Sequence, residues 1–173
     1  MTDSASPVIS AWLNRVDDLV YLPYEQAAWD ELRARAAETG RGFERERLGI
    51  VMLSMWHALT PLQPLADEKG FGHYWVRALS ERSLQAARYA EQAAGMAGTR
   101  ALETAMFNAG CALENAADYG SADNSSDAES ASRAAASDAG FASRAAFEVY
   151  RYPRRPGDSV LSTLRRLIDV QEG

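Results

Sequence analysis

"ENAADYGSADNSSDAESASRAAASDAG", residues 114–140, decides the fold of this chain. Its 27 residues hold no Leu, Ile, Val, Phe, Trp or Met, so it is either a disordered linker or a helix that packs through alanine. Spacing separates the two readings. "YGSADNSS" at 119–126 is a turn, rich in residues whose side chains bond their own backbone. Ser126 with Glu129 three residues later fits a capping box, so a helix is predicted to start there. Beyond it Ala128, Ala135, Ala142 and Val149 fall seven apart, with Ala131, Ala139, Ala145 and Ala146 beside them. A stripe that keeps helical phase argues for order.

Upstream the same stripe continues. Ala86, Ala90, Ala94, Ala97, Ala101, Ala105, Ala109, Ala112 and Ala116 advance by three or four, in phase through "GMAGT" at 95–99. One long helix with a soft spot, or two nearly collinear helices, is predicted from Tyr74 to Asp118. Alanine stripes let two helix axes approach closer than the usual spacing of about 8–10 Å. Residues 100–118 and 126–150 are therefore predicted to form a tight antiparallel hairpin.

The N-terminal part uses larger side chains. Ser6 before Pro7 is a helix start, and Ile9, Trp12, Leu13, Val16, Leu19 and Val20 recur behind it at helical spacing. Pro23 opens a second helix with Tyr24, Ala28, Leu32 and Ala36 four apart, ended by Gly40 and Gly42. A third, from Phe43 to Leu59, turns apolar all round and reads as the central buried helix. "TPLQPLADEKGFGH" at 60–73 reads as a long loop, because Pro61 and Pro64 interrupt helices and Gly70 and Gly72 break the segment after them. Pro153 and Pro156 interrupt the chain again, and Asp158 or Ser159 can cap a last helix carrying Val160, Leu161, Leu164, Leu167 and Ile168. The expected fold is all-α: one domain over 1–173, a bundle of six or seven helices. Residues 1–60 supply large apolar side chains, 74–150 the long alanine-rich helices that include the hairpin, and 158–172 a closing amphipathic helix.

Composition narrows the function classes. The net charge is −6, whereas nucleic-acid and membrane-surface binders normally show a basic footprint, so neither partner is expected. The skew of 17 Arg to the single Lys69 carries no functional weight. "MTDSASPVIS" has neither the basic nor the apolar region of a secretory signal. The apolar run at 48–59 is far short of the about 20 residues a bilayer span needs, so a cytoplasmic protein is expected. Cys111 stands alone, which removes an intrachain disulfide and any CxxC metal site.

No motif announces catalysis, and no cofactor is expected. His57 and His73 are the two histidines, and neither has the helical spacing to an acid or a second His that zinc signatures require. His57 reads as a packed core residue, with Asp67 and Glu68 as the carboxylates that could join the pair in a metal site. Asp118, Asp123, Asp127 and Glu129 crowd the 119–126 turn but fail the EF-hand pattern in both registers. Asp17-Asp18 has no further carboxylates in register. Three surfaces remain as binding candidates: the acidic group Asp118, Asp123, Asp127 and Glu129; the aromatic edge of the loop, Phe71, His73, Tyr74 and Trp75; and a basic group, Arg151, Arg154 and Arg155.

The expected function is therefore a small acidic, non-enzymatic interaction module with a protein partner. An inhibitor or immunity protein fits, of the kind phages and mobile elements carry against host defence, such as an anti-CRISPR-like inhibitor. Its carboxylates would stand where nucleic-acid phosphates sit, and self-association is equally open to an alanine stripe. The alternatives are a small metal-dependent or other helical enzyme using His57, His73 and the 61–73 loop, and nucleic-acid binding through the C-terminal arginines.

Overall fold

The computed structural model describes residues 5–150 and 156–170. Its elements are helical: α1 (Pro7–Val16), α2 (Pro23–Glu38), α3 (Glu44–Leu59), α4 (Gln63–Glu68), α5 (Gly72–Glu81), α6 (Leu84–Met96), α7 (Arg100–Ser121), α8 (Ser125–Tyr150) and α9 (Pro156–Asp169). Among the described residues the only extended pairing is a single bridge, Ala5 to Gly40. The chain thus breaks into more and shorter helices than the six or seven expected.

Local chemistry explains where they begin. Ser6 caps α1 by accepting from the Ile9 N–H at 3.2 Å, with Pro7 at the first helical position. Pro23 opens α2 as its sequence predicts, and Leu32 and Ala36 of the expected stripe are buried, but in the first half of the helix the inward face is shifted by one residue. Tyr24 is exposed, while Glu25, Trp29, Leu32 and Ala36 face the core. Trp29 sets that phase, being the largest side chain of the helix and held by its indole N–H to Asp17 Oδ1 at 2.7 Å.

The expected 60–73 loop is largely helical. A 3₁₀ turn at Thr60–Leu62 runs into α4, and Pro61 and Pro64 each sit in a first turn, where no backbone N–H is required. Gly70 then closes α4 at φ 85°, with the Phe71 N–H donated to Ala66 O at 3.0 Å and the Gly70 N–H to Asp67 O at 3.1 Å. The expected 74–118 helix, whether single or two nearly collinear pieces, is also corrected: the segment forms α5, α6 and α7. Arg82, at φ 52°, ends α5, and Ser83 caps α6 by accepting from the Ala86 N–H at 3.2 Å. "GMAGT" repeats the α4 closure with Gly98 at φ 75° and the Thr99 N–H on Ala94 O at 3.0 Å. α6 therefore folds back along α7, and Arg88 on one reaches Glu114 on the other at 2.9 Å.

α8 begins two residues before the Ser126 box. Asn124 is its cap, accepting the Asp127 N–H at 2.8 Å and donating to the Asp127 carboxylate at 2.8 Å. α8, rather than α3, holds the centre. It shares its broadest contact with α7 and lies also against α1 and α3. Ala105, Ala109, Ala112, Ala135, Ala136, Ala139, Ala142 and Ala146 are fully buried, in one core that runs from Val8 to Leu167. α9 closes over α2 and α3. It starts at Pro156, ahead of the expected Asp158 or Ser159 cap.

One polar network crosses this core. Arg47 is only 2 % exposed. It donates to Leu167 O at 3.0 Å, to Gly40 O at 2.7 Å and to Glu44 Oε1 at 2.7 Å. Glu44 Oε2 accepts from the Ser6 hydroxyl and the Val8 N–H, both at 3.0 Å. The starts of α1 and α3 and the end of α9 are thereby tied together. Among the described residues no helix is long and apolar enough to cross a membrane.

Candidate interaction surfaces

Because α5 begins at Gly72, positions 71, 75 and 78 share its inner face. The structure therefore splits the aromatic candidates. Phe71 and Trp75 are buried edge-to-face, ring centres 6.3 Å apart, with the Trp75 N–H donated to Leu59 O at 3.0 Å. His73 and Tyr74 stay at the surface, their rings 4.1 Å apart. Phe71 and Tyr74 line a hollow of about 350 Å³ between the α4–α5 turn and α6. Its other wall carries Tyr89, Ala93 and Met96, spaced for one helix face. Met96 is 91 % exposed, Tyr89 43 % and Tyr74 38 %. Sequence reasoning missed Tyr89 and Met96. They lie to one side of the buried Ala86, Ala90 and Ala94 stripe, so projecting positions 89 and 96 onto the helix beside that stripe would have found them.

The acidic candidates also divide. Asp118, Asp123 and Asp127 line one hollow of about 530 Å³ at the α7–α8 turn, together with Asn115, Ser121 and Ser130. Asp127 is partly committed, since it closes the α8 cap. Glu129 is turned elsewhere. Both Arg41 nitrogens hold it, at 2.9 and 3.1 Å, and Arg133 joins at 2.8 Å. Hydrogen bonds from Arg133 and then Arg41 keep its carboxyl below the ordinary glutamate range.

The remaining candidates are dispersed. His57 is exposed rather than packed, because the inner face of α3 runs through Val51, Met55 and Leu59. Among the described residues no three His, Cys, Asp or Glu side chains gather as a metal site, so His57, His73, Asp67 and Glu68 do not converge. Asp17 receives Trp29 and Arg33, and Asp18 receives the Arg144 fork at 2.6 Å; both anchor helices. Cys111 is half-buried beside Arg88, and burial pushes its thiol up, which keeps it protonated and a poor nucleophile. Arg151, Arg154 and Arg155 lie outside the described residues. No protein-family model, curated protein or solved structure matches this chain.

Proposed function

We propose that this chain is a small non-enzymatic interaction module whose partner is a larger protein, of the inhibitor or immunity type. The observation that carries the reading is the exposed group Tyr74, Tyr89 and Met96 around a hollow floored by Phe71. Aromatic residues and Met are enriched in interfaces, and a few anchors in a pocket supply most binding energy. Among the described residues Lys69 is the one charged side chain lining that hollow, which keeps its desolvation cost low. In this reading α7 and α8 form a single alanine-packed antiparallel hairpin, a stiff frame for the surface that α6 and the α4–α5 turn present. The test is a tagged pull-down from the native host with wild type and Met96→Glu, a change at a side chain that supports no core contact. Loss of a stoichiometric protein partner in the variant is the expected result. Equal capture by both sinks the assignment.

A second surface is favoured by one observation, the three carboxylates that share the 530 Å³ hollow. They suit a basic partner surface, including one that ordinarily holds nucleic acid. Asp118→Lys with Asp123→Lys is the cleaner reversal, since Asp127 also caps α8. Partner loss in this variant but not in Met96→Glu would move the docking surface to the turn.

A further inference from the structure

A separate hollow of about 300 Å³ opens between α1 and α8, lined by Ser10, Asn14, Arg15, Arg133 and Ser137. Arg15 is fixed there from three sides. Its stem lies on α8 at Gly140, where an added Cβ would stand 2.8 Å from Arg15 Cβ. Its guanidinium stacks on Phe141, with Cζ 3.9 Å from the ring centre. Its Nε–H donates to Ser137 Oγ at 2.9 Å. Among the described residues no carboxylate lies within ion-pairing distance of it. Arg15 is thus half-buried and held in place with no carboxylate in direct contact, in a chain of net charge −6.

The neighbours are donors as well. Ser137 accepts from Arg15, so its own hydroxyl hydrogen is left to give, and the Asn14 amide adds two more. Arg133 is bonded to Glu129, but that carboxylate is already gripped by both nitrogens of Arg41. The opposing acid is Asp138, which attracts Arg15 electrostatically while accepting the Asn115 amide at 2.7 Å. Arg41 and Arg133 thus share the single carboxylate of Glu129, while Arg15 faces Asp138, on which Glu114 also acts. We propose that this hollow binds a small tetrahedral oxyanion, a phosphate group, through the preset Arg15 fork with Ser137, Asn14 and Arg133 around it. Donors that come from two helices suit a tetrahedral anion better than a planar carboxylate, and arginine forks match phosphate oxygens. None of these residues belongs to the Tyr74–Met96 surface, so the site stands or falls independently of the docking reading.

The test is calorimetric titration of the whole chain with inorganic phosphate at pH 7, with ionic strength held constant by sodium chloride. Saturable binding is expected, weakened at least about tenfold by Arg15→Gln, a loss of about 1.4 kcal/mol. Asp138→Asn, which removes the opposing charge, is expected to tighten it. Should Arg15→Gln lose its helical circular dichroism, Ser137→Ala and Arg133→Gln decide instead, each expected to weaken phosphate severalfold. A linear response indistinguishable from chloride, or unchanged affinity in the folded variants, overturns the proposal. Acetate binding as tightly as phosphate overturns the phosphate assignment.

Discussion

Replacing Arg47 by Met tests the network that ties α9 to the rest of the fold. The change keeps most of the stem volume and removes donors to Leu167 O, Gly40 O and Glu44. Taking one partner from a buried ion pair costs about 3–5 kcal/mol. Glu44 is 15 % exposed at its side chain and keeps the Ser6 and Val8 donors, so it is not left bare. Gly40 is exposed and can turn its carbonyl to water, which leaves Leu167 O as the buried acceptor without a donor. The lower end, about 3 kcal/mol, is therefore expected. For a chain of this size that corresponds to a melting shift of roughly 6–12 °C. Urea unfolding followed by circular dichroism measures the loss, and hydrogen exchange is expected to quicken first in α9. In the Arg47→Met/Glu44→Gln double variant the costs should fall well short of additive. A loss below about 1 kcal/mol, or strict additivity, would refute the reasoning.

Two helical glycines should answer alanine in opposite directions. Gly49 is exposed in α3 with nothing within 4 Å of an added Cβ, so Gly49→Ala should stabilise by about 0.5–1 kcal/mol. At Gly140 the new Cβ meets Arg15 Cβ at 2.8 Å and Trp12 O at 3.4 Å, so α1 and α8 must part, and a net loss of about 1–2 kcal/mol is expected by urea unfolding. Asn124→Ala removes the α8 cap and should cost about 1 kcal/mol, whereas Ser126→Ala should be nearly neutral; the reverse order would restore the Ser126 box. Burial pushes the Asp138 carboxyl above its ordinary value, so its ionised form is a penalty absent below about pH 4 and present once pH passes the raised value. The urea midpoint of Asp138→Asn should accordingly gain on wild type between about pH 3.5 and pH 7, and a gain that shrinks would contradict the burial argument.

The helical class was legible because Ser6-Pro7, Pro23 and the alanine stripes carry their signals in neighbouring residues. The reversals were not. Alanines at 94, 97 and 101 keep the same phase whether the chain runs on or folds back, and only Gly98 at φ 75° distinguishes the cases. Pro61 and Pro64 misled for a similar reason, since proline both ends helices and begins them. At the candidate surfaces, sequence nearness sufficed for Asp118, Asp123 and Asp127. It could not place Glu129, whose Arg41 partner is 88 residues away. Phe71 and Trp75 against His73 and Tyr74 depended on the single residue at which α5 begins. Met96 was hidden because methionine in an alanine-rich helix ordinarily reads as core.

The docking claim is tested most directly by a photo-crosslinking residue placed at position 96, compared with one at the exposed Ala34 of α2, in native host cells. One protein crosslinked from position 96 alone, and lost when Tyr89→Ala is added, is the result this account predicts. No adduct from position 96, or the same adducts from both positions, would contradict it.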